Sequence, residues 1–218
     1  MMGARERILE AIKAGLGGHR QTPGEIAAAA AELLVSPEQI RPRLPDKPLA
    51  SLFTEKILMP HMGATLDSIG PLSELPDAVR RYLSLYALPP SIALQPTIAL
   101  TALDWSGIET HDTLAPNETV GVALAHWGIA ETGSLVFHSA SDAPTLLSFL
   151  PLHHIVALDI RSILAYLEDY AEAVKSGPAS SDVNLVTGAS GTTDIEGSYV
   201  RGAHGPRFLH VILFGALT

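Results

Sequence analysis

The sequence predicts an α/β protein built on a mainly parallel β-sheet. Short apolar runs such as Val120–Leu124 and Ile155–Asp159 read as strands buried on both faces. These runs alternate with segments of helical period, the pattern of βαβ units. Of the 218 residues, 47% are hydrophobic and only 17% charged, enough apolar material for one well-cored domain.

The first 48 residues read as a helical arm and linker, 1–48, ahead of an α/β domain, 49–218. Arg5–Leu16 carries Ile8, Leu9, Ile12 and Leu16 at helical spacing and ends at glycines. Glu25–Val35 is alanine-rich and a strong helix former. Ser36-Pro37-Glu38-Gln39 has the order of an N-cap, a first-turn proline and a capping glutamine, so a short helix is expected there. Arg41–Pro48 reads as a proline-rich linker, and the arm is expected to pack on the main domain.

From Pro48 onward helix and strand signals alternate. Leu49, Leu52, Phe53 and Ile57 predict a helix, and Ala64–Ile69 a strand between Gly63 and Gly70. Ser73–Ala87 is a helix ended by Pro89-Pro90, and Ser91–Gln95 the next strand. Thr97–Trp105 reads as helix, Gly107–Thr110 as a short strand and Val120–Leu124 as another. Ala125–Gly133 reads as a turn region before a strand at Ser134–His138. After Ile155–Asp159 the strongest helical pattern runs from Ile160 to Lys175, with Ile163, Leu164, Leu167, Ala171 and Val174 on one face. Val183–Val186 and His210–Phe214 are the last strands.

Composition excludes several function classes. A net charge of −9 argues against nucleic-acid binding, which needs a basic face. The chain contains no cysteine, so it holds no disulfide, thiol nucleophile or thiolate-ligated iron–sulfur cluster of its own. No apolar stretch approaches bilayer length, and Met1–Lys13 is a charged amphipathic pattern without a signal core; a soluble cytoplasmic protein is expected. The nine histidines show no metal-binding spacing, and no metal site is expected.

The stretch richest in chemistry is Asn184–Arg207, NLVTGASGTTDIEGSYVRGAHGPR. After an apolar run, Gly188, Ser190, Thr192 and Thr193 form a loop of small and hydroxylic residues. It is either an anion cradle of backbone N–H groups or a plain connection between core strands. Asp194 and Glu196, two apart, can hold a metal or a ribose, or shift one another's pKa for acid–base work; equally they can cap the loop and pair with an arginine. His204 and Arg207 can bind a carboxylate or phosphate, the arginine as a two-pronged donor, or Arg207 can neutralise Asp194 or Glu196. Glu131, in a turn between two strands, can cap backbone N–H groups or act chemically.

The motifs GASGTTDIE and GAHGPR, with AETGSLV at Ala130–Val136 and FLPLHHIVAL at Phe149–Leu158, resemble those of the LUD family. That family includes lactate-utilisation protein C and YkgG-like proteins. The resemblance runs from about Lys56 to Thr218. It implies a three-layer α/β/α fold like that of NagB, RpiA and the CoA transferases. It also implies a subunit that acts with iron–sulfur partners (LutA-like and LutB-like) in oxidising L-lactate to pyruvate, with the clusters in those partners. The alternatives are an independent small-molecule enzyme of the same fold, such as a sugar-phosphate isomerase, acyl-CoA transferase or folate cyclo-ligase, and a non-catalytic assembly module. The family commonly reads GPSRTADIE, so Gly191 stands where an arginine is usual. The resemblance places catalytic candidates at Glu131, Asp194, Glu196 and His204 and ligand-binding candidates at Gly188, Ser190, Thr192, Thr193 and Arg207. If their strands are neighbours, these loops share one crevice beyond the carboxyl ends of the sheet.

Overall fold

The computed structural model of the protein describes residues 3–15, 21–35, 41–175, 180–193, 197 and 199–215. The chain divides into two compact units, Met1–Arg43 and Leu44–Thr218.

The first unit holds helices α1 (Ala4–Gly15) and α2 (Pro23–Leu34). A reciprocal capping box starts α2. Thr22 Oγ1 accepts the Glu25 N–H at 3.2 Å, and the Glu25 carboxylate accepts the Thr22 N–H at 2.6 Å. Pro23 fills the first helical position, where its missing N–H is not needed. Ile8, Leu9 and Ile12 of α1 are exposed. The helix expected to open at Ser36 lies outside the described residues.

The second unit begins with α3 (Leu49–Ile57), β1 (Ala64–Ile69), α4 (Leu75–Leu85), β2 (Ser91–Leu94), α5 (Ile98–Thr101), β3 (Glu109–His111) and β4 (Val120–Leu124). It continues with β5 (Trp127–Ile129), β6 (Ser134–His138), β7 (His153–Asp159), β8 (Ile163–Leu164) and α6 (Leu167–Val174). The last elements are β9 (Val183–Val186), β10 (Gly191–Thr193), β11 (Tyr199–Arg201) and β12 (Phe208–Phe214).

Six strands form one wholly parallel sheet in the order β1-β12-β7-β4-β2-β3. The central runs of β4, β7 and β12 are buried on both faces, as the unbroken patterning predicts. Leu75, Val79 and Leu83 of α4 pack one face, against Ile92, Val122, Ile155 and Ile212. Phe53 and Ile57 of α3 pack the other, against Val156, Leu158 and Val211. A second, four-stranded sheet in the order β8-β5-β6-β9 shares that side through Leu135, Phe137 and Ile163. The fold is therefore α/β, with a mainly parallel central sheet and helices on both faces. Gly128 marks a close contact between the layers. A Cβ there would stand 2.7 Å from the Leu158 side chain and 3.2 Å from Phe53, so β5 lies close to the core only because that residue has no side chain.

Three sequence expectations are corrected. The turn region Ala125–Gly133 contains a strand, β5, paired antiparallel with β6. The helix expected over Ile160–Lys175 is confined to Leu167–Val174. Asp159 caps a short 3-10 turn, and Ile163 and Leu164 then pair with Gly128 and Ile129 as β8. Their apolar side chains match a helical period and a buried strand equally well, and sheet pairing decides between them. The hydroxylic loop is also partly strand, since Gly191–Thr193 forms a hairpin with Tyr199–Arg201.

Candidate functional site

The family-like motifs meet at the amino ends of β1 and β12. Gly188, with φ +85°, packs on the backbone of Met62; a Cβ there would lie 2.7 Å from the Met62 carbonyl oxygen. Only glycine combines that left-handed conformation with so close an approach. The Ala189 N–H then donates to that carbonyl at 2.7 Å, and the Ser190 N–H to Pro206 O at 2.9 Å. The Gly202 N–H returns to Ser190 O at 2.9 Å. These bonds tie the loop to the segment before β1 and to GAHGPR before β12.

A chain of hydroxyls joins the AETG turn to the same place. Thr132 Oγ1 lies 2.7 Å from Ser134 Oγ, which lies 2.6 Å from Thr187 Oγ1. Ser134 is buried, so this chain satisfies its hydroxyl where water does not reach. Gly133, φ +70°, closes the turn against the backbone of Ile57 at the end of α3. Glu131 is half-buried beside this chain, its N–H donating to Ala165 O at 3.0 Å.

The other candidates sit outward. Thr192 is half-buried in β10; Thr193, His204 and Arg207 are exposed. The Arg207 guanidinium carbon lies 5.5 Å from the centre of the Phe208 ring, a cation–π distance. Asp194 and Glu196 lie outside the described residues. Gly191 has a local reason: the Tyr199 hydroxyl lies in the space that a Cβ there would need. Directly across the hairpin from Gly191 stands Arg201, whose guanidinium lies against Gly63. Arg201 was not among the sequence candidates; its cross-strand position opposite Gly191 shows only once the hairpin is known.

Two expectations change. The loop follows β9, but β9 belongs to the four-stranded sheet, so the cluster lies at the amino edge of the parallel sheet, not beyond its carboxyl ends. The N–H groups of Ala189 and Ser190 are bonded within the protein, so the first half of the loop is a structural clasp rather than an anion cradle. The groups here that can meet an anion are the side chains of Arg201, His204 and Arg207. Among the described residues neither arginine has a carboxylate partner, so both guanidinium forks are available for charge-assisted hydrogen bonds.

Histidines gather elsewhere. His153 and His154 face opposite sides of β7, as strand alternation requires. On the α4 side, the Tyr82 hydroxyl lies 3.0 Å from His153 Nδ1, and Thr65 Oγ1 lies 2.8 Å from His210 Nδ1. Burial pulls His210 down to about 4, against a small opposing pull from Asp67. His154 is fully buried, 5.7 Å ring to ring from Phe137, with neither nitrogen hydrogen-bonded, and burial lowers its pKa to about 4. No group of three or more potential metal ligands is found among the described residues. No described helix is long and apolar enough to cross a membrane.

Comparison with known proteins gives these motifs a family. Residues 108–214 match the LUD domain. The chain is 33% identical over 97 residues to YkgG of Escherichia coli, covering 42% of each protein. It is 30% identical over 97 residues to lactate utilization protein C of Bacillus subtilis, covering 42% of this chain and 40% of that one. The protein of the same name from Deinococcus radiodurans is 35% identical over 97 residues, with 44% of each covered. These matches span less than half the length of the curated relatives. The fold is similar to that of a crystal structure of a DUF162 family protein from Deinococcus radiodurans, with a TM-score of 0.56 and 20% identity, covering 79% of this chain and 100% of that one. The stretch over residues 108–214, which ends in the motifs clasped at the amino ends of β1 and β12, is thus similar to the LUD domain.

Proposed function

We propose that this protein is a lactate-utilisation component that acts with iron–sulfur partner proteins in the oxidation of L-lactate to pyruvate. The observation that carries the proposal is the likeness to lactate utilization protein C, together with the LUD-domain match over residues 108–214. The reaction releases two electrons and two protons. A chain without cysteine cannot hold a thiolate-ligated cluster for those electrons, so the redox centres belong to LutA-like and LutB-like partners. In this proposal Glu131, His204 and Arg207 belong to a working face at the amino edge; Asp194 and Glu196 are catalytic candidates by sequence, and Gly188, Ser190, Thr192 and Thr193 are ligand-binding candidates.

The test is a clean deletion in the host, followed by growth on L-lactate and on a neutral carbon source. Growth should fall on L-lactate alone and return with the wild-type gene. Affinity purification from lactate-grown cells should bring down iron-containing proteins. Unimpaired growth on L-lactate, in a host without a second copy, would overturn the proposal.

A further inference from the structure

The parallel sheet has a topological switch point away from the family motifs. From β2 the chain runs outward to the edge strand β3, then returns to the other side of β2 as β4 and continues through β7 to β12. The segments leaving β2 and β4 therefore depart in opposite directions and open a gap beyond the carboxyl ends of these neighbours. Ligands of open α/β sheets bind at such gaps. Here the gap is a cavity of about 310 Å³, within the range of small-molecule sites.

Its lining has a specific chemistry. Gln95, 3% exposed at the end of β2, accepts the Leu124 N–H on Oε1 at 2.7 Å, which leaves its amide NH₂ as a donor. Thr97 Oγ1 is buried and has no hydrogen-bond partner. A buried hydroxyl without a partner is unfavourable by itself, and a ligand oxygen would satisfy it. His126 stands at the mouth, its imidazole kept neutral near pH 7 by burial and by His138 stacked 4.9 Å away. Asp159 brings no free charge, because Arg161 Nη2 holds its carboxylate at 2.6 Å. Leu124 and Phe214 supply apolar wall.

We infer that this crevice binds a small monocarboxylic acid. Its oxygens would meet neutral N–H and O–H donors from Gln95, Thr97 and His126, and its carbon skeleton would lie against Leu124 and Phe214. A phosphate carries more negative charge, and none of these lining side chains is a free cation to balance it. The site is separate from the clasped motifs at the opposite edge of the sheet. Its existence stands on this geometry; the choice of L-lactate and pyruvate as probes rests on the function proposed above.

The test is an NMR titration of the full chain with L-lactate, pyruvate and acetate, and with inorganic phosphate as contrast. The carboxylates should give saturable shifts at the Gln95 side-chain amide, Leu124 and His126, and phosphate should not. Thr97→Val should weaken carboxylate binding about five-fold, the loss of one neutral hydrogen bond. If that variant does not fold, His126→Ala, at the mouth of the crevice, should weaken binding instead. Absence of saturable shifts with all three carboxylates, or shifts centred on Ser190 and Arg207, would overturn the assignment. A silent crevice in a protein that the host still needs for growth on L-lactate removes this site alone. Carboxylate binding without a growth defect removes the pathway role alone.

Discussion

Ser134 Oγ and Thr187 Oγ1 lie 2.6 Å apart across the start of β6 and the end of β9, residues 53 apart in sequence. That bond fastens the AETG turn to the glycine loop, and it does so inside the protein, because Ser134 is buried. Ser134→Ala should lower stability to urea by about 1–2 kcal/mol, since it leaves two hydroxyls without their shared partner. Thr187→Val should cost less when Ser134 is already alanine. Strictly additive losses in that cycle would show that the two hydroxyls act independently.

Gly191 and Tyr199 compete for one volume. Introducing the family's usual residue, Gly191→Arg, should loosen the β10–β11 hairpin, seen as faster amide exchange at Thr192 and Val200. Adding Tyr199→Ala should restore protection, because it vacates the space the new Cβ needs. Equal exchange in the single and double variants would count against this steric account.

Stability should fall steeply in acid. His154 and His210 titrate near 4 in the folded chain, against 6.5 for an ordinary histidine. The unfolded chain therefore binds more protons between those values. The stabilisation is fully present above pH 6.5 and is lost as pH falls through 4. The linkage amounts to as much as about 3 kcal/mol per histidine. His154→Leu, which removes the buried titrating ring, should flatten the stability profile between pH 4 and 6.5. An unchanged profile would mean that other groups carry the acid sensitivity.

Arg207→Ala should impair growth on L-lactate while shifting the melting temperature little, because the side chain is exposed and bonded to no carboxylate among the described residues. Full growth with a normal expression level would exclude Arg207 from the working face.

The purified chain should be colourless and free of stoichiometric iron and sulfide, since it contains no cysteine. Visible absorbance from the isolated protein, with iron and sulfide in equal measure, would contradict this.

Short apolar runs were the most legible part of the sequence. Ala64–Ile69, Val120–Leu124, Ser134–His138 and Val183–Val186 fall where their apolar runs and flanking glycines predict. The four-stranded sheet was harder to see. Trp127-Gly128-Ile129 is too short to show a period, and Ile163-Leu164 carries a helical one; both become strands by pairing with partners distant in sequence. The motifs were legible as a group, but their edge of the sheet was not, because nothing local says that β9 runs antiparallel in a separate sheet. Gln95 and Thr97 gave no sequence signal at all. Their chemistry comes from burial and from the reversal of strand order, which exist only once the sheet is assembled.

The place of β12 in the strand order also governs how the unit can be made. This strand lies between β1 and β7, and Thr65 meets His210 across 145 residues of sequence. While the chain is still on the ribosome, β7, β4, β2 and β3 can pair, but one flank of β7 stays open and β1 has no neighbour. At about 5–20 residues per second, β1 waits roughly 7–30 s for its partner to emerge. Such distant pairing folds slowly, and an apolar strand left open meanwhile is a template for a second nascent chain. Yield in a fast-translating host should therefore depend on temperature and on chaperones that cover the open flank of β7.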